Sequence, residues 1–68
     1  MATMTYEIKS TRSNTIFTVT GDKSRAYLTV SGEASTNRKV LAEVDRIRRG
    51  GSDFATAKWT ANQLARTY

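Results

Sequence analysis

Apolar and polar residues alternate through the first half of the chain and then change period. Alternation places successive side chains on opposite faces of a strand, whereas a recurrence every three to four residues marks one stripe of a helix. Thr5 to Lys9 reads as a first strand with Tyr6 and Ile8 on one face. Thr15 to Thr20 is a second that sends Phe17 and Val19 to one side, and Arg25 to Ser31 a third with Ala26, Leu28 and Val30 together. The residue types agree, since Thr, Tyr, Val and Ile favour a half-buried pleated surface. Ser10 to Asn14 is a polar turn, and Gly21-Asp22-Lys23-Ser24 supplies turn chemistry between the second and third strands. Connections this short predict an antiparallel meander. One face collects Tyr6, Ile8, Phe17, Val19, Leu28 and Val30 and needs a cover. The other carries Glu7, Lys9, Ile16, Thr18, Arg25, Tyr27 and Thr29, a mixed and wetted set.

The cover follows in sequence. Ser35, Thr36 or Asn37 can accept from the first free amides of a helix. Val40, Val44 and Ile47 then fall within about 60° of one another, with Leu41 on the flank. Gly50-Gly51 ends the element, which is expected over Thr36 to Arg49. The last segment, residues 53–68, has two readings. As a helix capped by Ser52 it aligns Phe54, Ala57, Ala61, Leu64, Ala65 and Tyr68; as a strand it aligns Ala55, Ala57, Trp59 and Ala61. Its alanines and the continuous stripe favour the helix. The fold class expected is α+β: a three-stranded antiparallel sheet packed against one helix, with a second C-terminal helix, residues 1–68 forming one βββα(α) domain.

Composition narrows the chemistry. The 68 residues contain no Cys and no His, so neither disulfides nor histidine–metal clips can support a core this small. A homodimer or another partner surface is therefore expected. No apolar run approaches the roughly 20 residues that span a bilayer, and the start lacks the charged and apolar regions of a signal peptide. A cytoplasmic location with no membrane contact is the default. Nucleophilic catalysis wants a base held beside the nucleophile, and no such base is evident. Glu43 and Asp45, two apart in a helix, diverge. Gly50-Gly51 is not followed by the Lys-Ser/Thr of a phosphate loop. No enzyme, metal site or cofactor is expected.

Charge is what distinguishes the chain. Eleven Lys and Arg against six Asp and Glu give +5; residues 35–68 hold seven against three, so +4 of that excess. Such a balance favours phosphate-rich or acidic partners. On the first helix Arg38, Lys39, Arg46 and Arg49 project opposite Val40, Val44 and Ile47, with Ala42 flat among them and Asp45 interrupting. Arg46, Arg48 and Arg49 also suit the negative end of that helix, so a plain solvated face explains part of the pattern. Trp59, away from the apolar stripe of a C-terminal helix, is either an interface anchor or stacking platform, or an indole folded over the core edge. Lys9, Arg25 and Tyr27 on the open sheet face could reach nucleic acid, and Tyr27 and Tyr68 could join Trp59 at an interface.

Several short stretches carry a resemblance. Tyr6-Glu7-Ile8-Lys9, Ile16-Phe17-Thr18-Val19, Ser35-Thr36 and Ile47-Arg48-Arg49-Gly50 resemble the strand, strand, serine-pair and basic helix-end motifs of the YegP-like family over Tyr6 to about Gly50. The chain departs from it at Gly21-Asp22-Lys23-Ser24, where the family has Gly-Asn-Gly, and at Ala34, where it has an aromatic. The resemblance implies the βββα order and a tendency to form dimers or tandem domains; that family has no settled activity, so it implies no site. In architecture alone, sheets of this size backed by one helix are similar to DNA-binding domains of integrases and plant transcription factors. The first expectation is thus a basic, non-catalytic module that contacts nucleic acid, or a nucleic-acid-bound complex, through Arg38, Lys39, Arg46, Arg48 and Arg49. The alternative is a small phage or mobile-element accessory protein that inhibits a larger complex by binding it, through an acidic surface or a buried anchor. A homodimerisation module is the third.

Overall fold

The structure, a computed structural model, describes residues 3–68, and of residues 48–50 the backbone only. Three strands, β1 (Met4–Lys9), β2 (Thr15–Gly21) and β3 (Ala26–Gly32), form an antiparallel sheet in the order β1-β2-β3. The register aligns Tyr6, Val19 and Leu28 in one cross-strand row and Ile8, Phe17 and Val30 in the next. A slip of one residue would turn this whole set to solvent, so burial of one face fixes the pairing. Both turns are closed by short side chains. Ser10 Oγ accepts from the amides of Arg12 and Ser13 and donates to the Ala65 carbonyl.

At the other end Asp22 Oδ1 accepts from the Arg25 and Ser24 amides and from the Ser24 hydroxyl. The Arg25 amide first, then the Ser24 hydroxyl, holds the Asp22 carboxyl below its ordinary range. A carboxyl lowered in the folded state stabilises above its unfolded value, and that contribution is lost as pH falls through the folded one. In an acid titration followed by NMR, the Ser24 and Arg25 amides are expected to shift with a midpoint below the 3.8 of a free aspartate. Asp22→Asn should abolish the shift; a midpoint above that value would contradict the turn geometry.

A 3₁₀ turn, Glu33–Thr36, leads into α1 (Arg38–Gly50). Ser35 and Thr36 belong to that turn, so the helix starts two residues later than expected and Asn37 is its cap. Asn37 Oδ1 accepts from the amides of Lys39 (2.9 Å) and Val40 (3.3 Å). Asn37→Ala should cost about 1 kcal/mol. For a domain of this size that lowers the melting temperature by about 4–8 °C, readable by circular dichroism; an unchanged melt would rule out the cap. Gly51 stops the helix at a φ of 69°, its amide bonding the Ile47 carbonyl. Gly32, at a φ of 102°, lets the chain leave β3 under the Asn14 carbonyl, which a Cβ would overlap.

The second helix, α2 (Phe54–Thr67), settles the choice for residues 53–68 in favour of helix. Its cap differs from the expected Ser52. The Ser52 carbonyl instead accepts from the Ala26 amide at 2.6 Å, bridging to the first residue of β3, and Asp53 stands at the cap position without a side-chain bond. The division of labour differs as well. Rather than one helix covering the sheet, α2 packs across all three strands and α1 packs along β3. Alanines at 57, 61 and 65, all buried, let α2 approach the sheet closely. Both helices share one core with Phe17, Val19, Leu28, Val40, Val44, Ile47 and Leu64.

The helices run in opposite directions. The Phe54 amide bonds Lys23 in the β2–β3 hairpin, and the Ala65 carbonyl accepts from Thr11 in the β1–β2 turn. The start of α1 is tied near Asn14 by the Glu33 amide, and its end returns to Gly51 beside Arg25. No helix among the described residues is long and apolar enough to cross a membrane.

Candidate functional site

Because α1 and α2 bury their apolar stripes against the same side of the sheet, their outward faces look out on the same side of the domain. On α1, Arg38, Lys39, Ala42, Asp45 and Arg46 are exposed while Val40, Val44 and Ile47 are buried. The expected stripe thus exists at its described positions, but it is not purely cationic. Arg46 donates to Glu43 Oε2 through Nη2 at 2.8 Å and through Nε at 3.3 Å. Both groups are largely exposed, so the pair contributes little to stability and is readily exchanged for another anion. Arg38 and Lys39 occupy the first turn, where a cation opposes the helix dipole. They gain nothing in stability from that place. The side chains of Arg48 and Arg49 lie outside the described residues.

On α2, burial of Ala57, Thr60, Ala61, Leu64 and Ala65 fixes the opposite face. Trp59 stands there, 63% exposed, more than any other large hydrophobic residue of the described chain. It does not fold over the core edge. Ala55 and Thr56 precede it by one turn, Asn62 and Gln63 follow by one, and Arg66 by two, on a helix of 3.6 residues per turn. Its surroundings are therefore small or polar. Lys58 and Asn62 turn toward β1: Lys58 Nζ lies 4.7 Å from the Tyr6 ring centre, and the Tyr6 hydroxyl donates to Asn62 Oδ1 at 2.7 Å. Arg66 escaped the sequence-level selection of cations; its spacing of seven from Trp59 was the signal.

The remaining expected positions divide. Lys9 and Tyr27 are exposed on the open sheet face with Thr5, Glu7, Ile16, Thr18, Thr20, Thr29 and Ser31. That face is rich in hydroxyls, and its two charges, Glu7 and Lys9, cancel. Arg25 does not join it. It precedes β3, and its side chain runs beside Gly51 in the link between the helices. Tyr68 ends the apolar stripe of α2 as expected: its ring is half-buried against the core, and its carbonyl accepts from the Ser13 hydroxyl.

A shallow hollow of about 330 Å³ lies on the flank of α1, lined by Arg38, Leu41, Ala42, Val44 and Asp45. Leu41 is the exposed apolar side chain there. Among the described residues no group of three or more His, Cys, Asp or Glu is placed to hold a metal. No family model, curated protein or solved structure matches the chain.

Proposed function

We propose that this domain is a non-catalytic nucleic-acid-binding module whose contact surface is the outward side of its two-helix layer. The observation that carries the reading is the separation of charge between the two sides of the domain. On the helical layer Arg38, Lys39, Arg46 and Arg66 outnumber the acidic Glu43 and Asp45, while the open face of the sheet pairs one Lys with one Glu. A polyanion is drawn to the first side and gains nothing from the second. The Arg46–Glu43 pair fits the same reading, because a phosphate can replace the carboxylate on a guanidinium without loss of geometry.

The test is fluorescence anisotropy of a short labelled oligonucleotide at about 50 mM salt, where phosphate contacts are strong. Saturable binding that Lys39→Glu weakens is the expected result. A glutamate in the first turn of α1 favours the helix dipole, so loss of binding would not reflect loss of the fold. No binding by the parent protein at this salt would sink the reading.

A second reading, a small accessory protein that blocks a larger assembly, draws on the hollow beside Leu41. An apolar contact flanked by Arg38 and Asp45 suits a protein partner better than a phosphate chain. Leu41→Ala, which changes no charge, separates the two. It should leave oligonucleotide affinity within about twofold, since Leu41 carries no phosphate contact.

A further inference from the structure

We infer that the nucleic acid this face takes is single-stranded, DNA or RNA, with one base stacked on Trp59 and neighbouring phosphates held by Arg38, Lys39, Arg46 and Arg66. The inference rests on the nucleic-acid reading above and adds the form of the ligand. Trp59 contributes nothing evident to the core, since it lies opposite the buried face of α2 and is 63% exposed. Side chains on a helix lean toward its N-terminus, so the indole lies over Ala55 and Thr56. Those two side chains are small and leave the outer ring face open to a flat partner.

Protein hot-spot tryptophans are sealed by a rim of surrounding contacts and sit in well-packed pockets. Here the exposed polar neighbours are Gln63 and Arg66, groups that bond to base edges and phosphates.

Position along the helices sets Arg46 at the level of the ring. Trp59 is five residues into α2 and Arg46 four residues from the end of α1, on either side of the same short link. At about 1.5 Å per residue the two lie at nearly the same level of the antiparallel pair. Arg66 and Arg38 share a level nearer the other end of the layer.

The layer itself disfavours a duplex. A major groove about 12 Å wide admits one helix of about 10–12 Å diameter. Two helices on the same side of one sheet are together at least roughly twice that width. A duplex also hides its base faces in the stack, so the indole would have to wedge a step apart to reach one. A single strand offers free base faces at no such cost.

The chain has one tryptophan, so its fluorescence reports this contact directly. Titrations at about 50 mM salt should compare single-stranded DNA, single-stranded RNA and duplex DNA of equal length, reading indole quenching and anisotropy together. Both single strands are expected to quench the indole and to bind at least about tenfold tighter than the duplex. Trp59→Ala should weaken single-strand binding by about five- to 150-fold, with Trp59→Phe recovering part of it. Neither variant should alter the melt, and Trp59→Phe keeps the test valid if the alanine variant does. A preference for one strand chemistry over the other keeps the inference and identifies the source. Equal affinity for duplex and single strand, with no effect of Trp59→Ala, would overturn it and leave the nucleic-acid reading standing. Failure to bind any of the three would remove both.

Discussion

Phe17→Ala is expected to leave the domain largely unfolded at room temperature. Phe17 lies in the central strand, is wholly buried, and is among the largest side chains in the core. Its register partners Ile8 and Val30 and the covering α2 leave it no way to be replaced by relaxation of one element. Truncations of this kind cost about 3–5 kcal/mol, from lost transfer energy and the cavity left behind. A chain of this length holds only about 3–10 kcal/mol in total. Ile16→Ala is the matched control: it is the adjacent residue, one pleat away on the open face, and should change stability by under about 1 kcal/mol. Urea denaturation followed by circular dichroism reads both. If Phe17→Ala unfolds at the parent's midpoint, the core does not sit where the register places it.

Raising salt from about 50 to about 200 mM should weaken oligonucleotide binding by on the order of 100-fold. Each phosphate neutralised by a cation releases condensed counterions, which gives a log–log slope of about −0.7 to −0.9 per contact. Arg38, Lys39, Arg46 and Arg66 together predict a slope of about −2.8 to −3.6. Arg38→Ala should shallow it by about one unit and weaken all sequences alike. Glu43→Gln acts in the opposite direction. It frees Arg46 from its 2.8 Å carboxylate and removes a negative charge from the face, so affinity should rise. A flat salt dependence, or no gain with Glu43→Gln, would remove the phosphate-contact account and favour the protein-blocking reading.

The sheet was legible because its signals are local. Alternation placed Tyr6, Ile8, Phe17, Val19, Leu28 and Val30 on one face, and the short polar turns left no topology other than a meander. The strand ends moved by a single residue, where burial no longer distinguishes inside from outside. Helix α1 was legible from Val40, Val44 and Ile47, but its start was not, because Ser35, Thr36 and Asn37 have equal chemistry as caps. Only the 3₁₀ turn, fastened by Ser35 Oγ to the Gly32 carbonyl, decides among them.

The same limit applies to Ser52, whose backbone is taken up by Ala26, a residue 26 positions away that no local pattern names. That α2 rather than α1 spans the sheet was hidden for a related reason. Its stripe is mostly alanine, and small residues signal close approach only once the facing surface is known.

On the site, the cationic face was readable from spacing alone. The Glu43 partner of Arg46, three residues away, was readable too and received no weight. The place of Arg25 was not readable, because its surroundings come from Gly51 in the inter-helix link, distant in sequence.

The way β1 and α2 are joined bears on how this chain is made. Tyr6 bonds Asn62 and Ser10 bonds Ala65, contacts separated by 56 and 55 residues. Nothing smaller than the whole domain can therefore close the core. A ribosome that has released only the meander and α1 presents the apolar face of the sheet without the helix that spans it. Two unprotected strand edges flank that face, and both are templates for pairing with another nascent chain. The last turns of α2 thus act as the folding trigger, and folding is confined to the moments after they clear the exit tunnel.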